Sequence, residues 1–256
     1  MRPAEAMPAL GAIVPHAGYM YSGQVAGAVY ARIVPPETWV ALGPNHTGLG
    51  ARAAIVCAGE WETPLGALPI DADLARAIAD GSQVLQEDDL GHAREHAIEV
   101  QLPFWQRRDP GVRFVPITLF ARDYATCSDV GQAIASAVGQ TGRRVVLVAS
   151  TDMSHYVSRR VAIAKDRRAL DAMLALDPER LYKVVQEDAI SMCGAAPTAA
   201  MLVAARTLGA RSVELVQYTD SGAVTGDLDE VVAYAGLIVR GSRSAWKAVD
   251  AAEHGV

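Results

Sequence analysis

Short apolar runs stopped by Gly, Pro or Asp alternate with longer segments whose apolar residues recur at helical spacing, and this alternation constrains the fold more than any other feature. The runs at 10–14 (LGAIV), 38–42 (TWVAL), 53–57 (AAIVC), 112–119, 144–150, 212–218 and 231–239 are predicted strands. The segments 22–34, 71–80, 96–107, 128–138, 158–175 and 196–208 are predicted helices. Such an order is α/β, because each strand needs cover on its faces and the helix beside it in sequence supplies that cover. The last two runs can pair antiparallel across the 219–230 loop, so the expected architecture is a central mixed β-sheet with helices on both faces. No linker, repeat or low-complexity block divides the chain. A single domain over 1–256 is expected, with 241–256 as a tail or surface helix.

With 256 residues, 51% of them hydrophobic and 20% charged, the chain can bury one sizeable core. A net charge of -6 and scattered arginines give no electrostatic footprint for nucleic acid, which is not an expected partner. The N-terminal apolar stretch is broken by Pro8 and stops at Pro15, so it lacks the apolar core of a signal peptide. No run approaches the roughly 18 apolar residues of a membrane helix, and no membrane partner is expected. Cys57, Cys127 and Cys193 are an odd set without short paired spacing, which argues against a disulfide framework and for a cytoplasmic setting.

Ligands of open α/β sheets gather outside the carboxyl ends of strands, so polar residues just after predicted strands carry the most weight. His16 follows LGAIV in VPHAGYMYSG, and His46 follows TWVALG in LGPNHTGLG, each with a Pro before it and glycines after it. Asp152 and His155 follow RVVLVAS in ASTDMSHY. A carboxylate and an imidazole at that spacing could orient each other, exchange protons or bind a metal; the plainer alternative is that Asp152 caps the helix near Ser158. Cys193 stands in SMCGAAPTAAM, just before a predicted helix whose positive end favours thiolate, the metal-binding form. Gly194 allows close backbone approach to a ligand.

Taken together, the segments PHAGYMYSG, GPNH, REHAIEVQLPF, STDMSHY, MCGAAPT and YTDSGAVTGD with VVAYAG resemble the successive blocks of the Memo family, also called AmmeMemoRadiSam system protein B. They occur in the family's order between residues 11 and 239. The resemblance implies a fold like that of the class III extradiol dioxygenases, non-haem iron enzymes that open catechol rings. It also implies a metal pocket in which His16, His46 and Cys193 are the ligands. Asp152 and His155 then stand beside the metal, with His155 similar to the acid/base histidine of the dioxygenases. Tyr19 and Tyr21 line the cleft, and Glu95 and His96 lie near it on the substrate side.

The ligand set departs from the two imidazoles and one carboxylate of the dioxygenases, a thiolate taking the carboxylate's place unless Asp152 turns inward. Thiolate with imidazole suits iron, zinc or copper, so the ligands alone do not name the metal; the resemblance to the non-haem iron dioxygenases makes iron as Fe2+ the expected cofactor. His92, Glu95 and His96 also form H-x-x-E-H, an inverted zinc-protease signature. The Memo-like blocks account for Glu95, His96 and Glu99 without His92, so this segment is expected to open a helix near the pocket. No dinucleotide, P-loop or α/β-hydrolase motif occurs. The expected function is a metal-dependent, dioxygenase-like oxidoreductase acting on an unknown small molecule. The alternatives are a peptide or phosphotyrosine-peptide binding module and, from the family's system name, an accessory to radical SAM proteins.

Overall fold

Every predicted strand forms in the computed structural model, which describes residues 5–121 and 123–241. The expected terminal segment 241–256 lies, after Gly241, outside the described residues. The strands are β1 (Gly11–Val14), β2 (Thr38–Pro44), β3 (Ala53–Ile55), β4 (Glu60–Thr63), β5 (Gly66–Pro69), β6 (Gln86–Glu87), β7 (Arg113–Leu119), β8 (Val145–Ser150), β9 (His155–Val157), β10 (Ala210–Asp220) and β11 (Val231–Gly241). The helices are α1 (Tyr19–Tyr30), α2 (Ala72–Asp80), α3 (Leu102–Arg108), α4 (Tyr124–Thr141), α5 (Arg159–Leu174), α6 (Pro178–Glu187), α7 (Ala195–Thr207) and α8 (Gly222–Thr225).

The main sheet runs β10-β11-β1-β8-β2-β7-β3-β6, with β9 added on β11 and β4–β5 forming a separate hairpin. Its centre is parallel: β8 lies between β1 and β2 and pairs parallel with both, and β2 pairs parallel with β7. β10 and β11 pair antiparallel, as the late runs predict, and β11 pairs antiparallel with β1, so the sheet is mixed. Strands β1, β2 and β8 are buried along their whole length, which is why they read in sequence as continuous apolar runs rather than alternating ones.

The pleat fixes where the helices lie. Gly11 of β1 faces α7, where a Cβ would stand 3.0 Å from the Met201 sulfur. Gly236 of β11 faces α1, where a Cβ would stand 2.6 Å from a Val29 methyl. Ala12 pairs with Ile238, two residues on from Gly236 and hence on its face, whereas Ala12 and Gly11 point to opposite faces. Helices α1 and α7 therefore cover opposite sides of one sheet. On the α1 side an aromatic layer fills the gap to α3: Trp39 stacks on Trp105 with centroids 5.1 Å apart, and Tyr30 meets Trp39 edge-on at 5.6 Å.

Local outcomes differ from the sequence expectation in several places. The segment predicted as a helix over 96–107 is turns up to Ile98, a 3₁₀ turn at Glu99–Gln101, and only then α3, with a proline in its first turn. The Glu95 side chain accepts the Ala97 amide at 2.9 Å and holds the backbone in a turn instead of a helix. Conversely, α6 was not predicted, although Asp177 capping the Arg180 amide and Pro178 in the first turn are ordinary helix-start signals.

At the amino ends of the central strands, buried Asp71 ties three elements together. It accepts Thr38 Oγ1 at 2.6 Å and Arg143 Nη1 at 2.7 Å, and caps α2 at the Leu74 amide. Burial alone would raise its pKa, but the bonds from Arg143, Thr38 and Leu74 together outweigh burial and hold it below the usual carboxylate range. A depressed folded-state pKa contributes stability above the unfolded value that is lost as pH falls. Asp71→Ala should therefore cost about 2–4 kcal/mol at neutral pH, from a lost cap plus orphaned partners. Denaturant unfolding should show that gap narrowing below about pH 4; an unchanged gap would refute the ionised role.

Candidate metal centre

Three adjacent parallel strands deliver the site. β1 ends at Val14 and leads through Pro15 to His16; β2 ends at Pro44 and leads through Asn45 to His46; β8, between them, ends at Ser150 and leads to Thr151 and Asp152. Cys193 comes from a different element, immediately before Gly194, the cap of α7. His16, His46 and Cys193 each offer a ligand atom, and these atoms all lie within 4.8 Å of one another. Cys193 Sγ is 3.3 Å from His16 Nε2. Cys57 and Cys127 are buried elsewhere and join no such group among the described residues.

Hydrogen bonding decides which nitrogen each imidazole presents. Ser150 Oγ lies 2.5 Å from the Ala97 carbonyl, which can only accept, so the single hydroxyl proton is committed there. Gln101 Nε2 also donates to that hydroxyl at 2.9 Å. His16 Nδ1, 3.0 Å from the same oxygen, must then be the donor, which leaves the Nε2 lone pair aimed at Cys193. His46 Nδ1 donates to Glu95 Oε1 at 2.9 Å and the His46 amide to Oε2 at 2.6 Å, so its Nε2 is likewise free. Such backing of a ligating imidazole by a carboxylate or hydroxyl fixes ring orientation and raises ligand basicity. Burial, reinforced by nearby His46 and His96, pushes His16 down to about 3, so it is neutral at ordinary pH. Burial tends to raise Glu95, yet the hydrogen bonds from the His46 ring, His46 amide and Ala97 amide hold it down at about 2.

The thiol corrects one expectation. Proximity to the start of α7 does not make Cys193 a thiolate; burial and the neighbouring Asp152 carboxyl push it up to about 12, against the lowering effect of the Asp152 amide, Thr151 and the Gly194 amide. Without a cation the site holds a protonated thiol. The tight approach at Gly194 is also not toward a ligand: a Cβ there would stand 2.5 Å from Thr151 Cβ and 2.6 Å from the Ser150 carbonyl. The missing side chain lets α7 dock on the end of β8, with the Gly194 amide donating to Thr151 Oγ1 at 2.9 Å.

Asp152 is buried and accepts the His16 amide at 2.8 Å, and its own amide donates to Cys193 Sγ at 3.2 Å. Burial raises its pKa. Its carboxylate belongs to no converging ligand group among the described residues, and it caps no helix: Ser158 occupies that position before α5. His155, in β9, gives Nδ1–H to the Ser191 carbonyl at 2.7 Å rather than to Asp152, leaving its Nε2 as an acceptor. His96 stacks on His46 with centroids 5.1 Å apart and meets His16 edge-on at 5.4 Å. Tyr19 donates to the Val100 carbonyl at 3.0 Å, packs edge-on against Phe104 and lines a separate apolar hollow with Leu65. Tyr21 lies half-buried beside Gly18. His92 is buried against Trp61 in a turn, not on a helix shared with His96, which removes the geometry an inverted zinc-protease motif needs.

Ser150, Gln101, Thr151 and Ser191 orient the site and were not singled out by sequence. Their signal was weak: Ser150 and Thr151 are small polar residues ending an apolar strand, and Gln101 sits inside EVQLPF. A cleft of about 570 Å³ opens beside the cluster, lined by Phe120, Tyr182, Ile190 and Met192 together with His46 and Cys193. Its described lining contains no lysine or arginine.

Gly194→Ala tests whether α7 must dock this closely to place the thiol. The variant should fold, yet bind a transition-metal ion about ten- to hundredfold more weakly, although no ligand is altered. Unchanged affinity by competition with a chromophoric chelator would show that the docking does not govern the cluster.

The Memo-like protein family matches this chain over residues 1–238. The chain is 45% identical over 230 residues to the MEMO1 family protein MTH_45 of Methanothermobacter thermautotrophicus, covering 89% of this chain and 83% of the relative. It is 43% identical over 234 residues to the MEMO1 family protein MK0963 of Methanopyrus kandleri, covering 90% of this chain and 83% of that protein. Among solved structures, the uncharacterized protein JW3007 from Escherichia coli K12 superposes with a TM-score of 0.60 at 11% identity, over 89% of this chain and 98% of that one, a likeness of fold alone. With the matched region reaching from the first residue to β11 and including every residue of the cluster, the chain belongs to the Memo-like family.

Proposed function

We propose that the protein holds one transition-metal ion between His16, His46 and Cys193 and serves as a metal-dependent oxidoreductase of the dioxygenase-like kind, with iron as the ion. The observation that carries the metal assignment is the convergence of two imidazoles, each with Nδ1–H tied to an acceptor, on one thiol. Unlike a chance cluster, this set has its donor atoms selected in advance by hydrogen bonds. Held by His16, His46 and Cys193, an iron ion would supply Lewis acidity and one-electron chemistry.

The chain's own residues divide the remaining work. Asp152 fixes the His16 backbone and the Cys193 sulfur. His155, with Nδ1–H on the Ser191 carbonyl, is arranged to accept a proton at Nε2. The cleft beside His46 and Cys193, lined by both apolar and polar side chains and without lysine or arginine among the described residues, has room for a small molecule. The same lining counts against a phosphotyrosine module, because phosphate recognition depends on arginine or lysine donors.

Elemental analysis of protein purified without chelator or metal-binding tag should find iron in wild type and a marked loss in Cys193→Ser at matched loading. Equal occupancy would remove the thiolate from the ligand set. Binding must also release the thiol proton, since the folded thiol titrates at about 12 whereas His16 is already neutral above about 3. Metal affinity should consequently rise with pH, about tenfold per unit between roughly pH 6 and 9, and lose most of that slope in Cys193→Ser. A flat wild-type profile would contradict the assignment.

His155→Ala should retain the metal of the wild type and lose turnover with any substrate found by screening small aromatic compounds. Loss of metal in this variant would make His155 a ligand instead of a proton acceptor.

A further inference from the structure

We propose that His46, Glu95 and His96 form a second metal site beside the first, the His46 imidazole being shared with one nitrogen on each ion. This deepens the metal-centre reading and rests on it only through His46.

The ligand atoms of these three residues all lie within 4.8 Å of one another. Glu95 Oε1 is 2.9 Å from His46 Nδ1 and 3.4 Å from His96 Nδ1. Ligands bonded to one ion at about 2.1 Å are separated by about 3.0 Å at a right angle and about 3.4 Å at the tetrahedral angle. The spacing already fits a common centre. A hydrogen bond explains the His46 contact but not the His96 one. Oε1 already accepts from His46 Nδ1 and the Ala97 amide, which uses both lone pairs, and among the described residues no hydrogen bond holds the His96 ring.

Charge points the same way. The Glu95 side chain is 1% exposed, and its ion-pair partners are two histidines, with no lysine or arginine among the described residues. Its other partners are the His46 and Ala97 amides, and a divalent ion held with the two histidines would set a full positive charge beside the buried carboxylate. Access is open, since the His46 and His96 side chains are 35% and 56% exposed. The second ion replaces the Nδ1 proton of His46, which passes to solvent. His46 then bridges as imidazolate, with Nε2 on the first ion and Nδ1 on the second, and no oxidation state changes.

The test is titration of the chelator-stripped full chain with Co2+ alone, following stoichiometry by calorimetry and the thiolate-to-cobalt charge-transfer absorption, which reports only the ion on Cys193. Two ions per chain are expected, with the charge-transfer band complete at one equivalent. His96→Ala and His96→Gln should each bind one ion and keep the full band. A wild type that takes a single ion with a complete band would overturn the second site while leaving the first intact. Two ions in both wild type and the His96 variants would also overturn it. Absence of the charge-transfer band would strike the first site instead, and with it the shared imidazole.

Discussion

The hydrogen bond from His16 Nδ1 to Ser150 Oγ is the interaction on which the rest of the site depends. A buried imidazole can be a donor or an acceptor at either nitrogen, and only its surroundings choose. Here the choice is forced at a distance: Tyr30 donates to the Gln101 carbonyl oxygen at 2.8 Å, Gln101 presents its amide to Ser150 and to the Pro15 carbonyl, and Ser150 spends its proton on Ala97. The chain links α1, the 3₁₀ turn and the ends of β1 and β8. Each member is buried, and replacing any one by an apolar group would leave the next unpaired at a cost of about 1–3 kcal/mol. Stability and ligand orientation are thus the same set of bonds.

The charge state of the cluster follows from where it sits. His16 and Cys193 are both held in their uncharged forms, one pushed down by burial and the other pushed up. A site of this kind is electrically mild without an ion and becomes anionic only when one arrives to displace the thiol proton. On the proposed ligand set, metal binding and deprotonation would be one event, and any stabilisation of the fold by metal would carry the same pH dependence. The sequence-level argument from the helix end failed here because a dipole worth about 1 kcal/mol near a surface is small beside desolvation of a buried thiolate and repulsion from Asp152.

How much could be read in advance varies along the chain for physical reasons. The central strands were legible because burial on both faces leaves uninterrupted apolar runs, and His16, His46 and Asp152 were legible because they follow those runs directly. The hairpin at β4–β5 was not: its residues are mostly exposed, so no periodic pattern marks them. Nor was the turn at 95–98, where Glu95 satisfies amides that a helix would have satisfied internally. The partners that select tautomers, Ser150 and Gln101, were invisible for a different reason. Their importance lies in which proton goes where, and that is settled by three-dimensional neighbours far away in sequence.

Asp152 bears on why the proposed third ligand is a thiol rather than a carboxylate. An aspartate on the loop after β8 is well placed to enter the cluster, yet its carboxylate accepts the His16 amide while its own amide donates to the sulfur. Turning that carboxylate inward would release the His16 backbone and strip a hydrogen bond from a buried amide, loosening the ligand that Asp152 now holds. Cys193 arrives from another element, α7, and needs no such exchange, because its approach is set by the contact of Gly194 with Thr151 and the end of β8. Substituting one donor for the other would thus require rebuilding the backbone on two strands, whereas the thiol is adjusted by the position of a single helix. On the proposed ligand set the softer donor is in this sense a consequence of packing: the fold commits the Asp152 carboxylate to architecture and leaves the third position to sulfur.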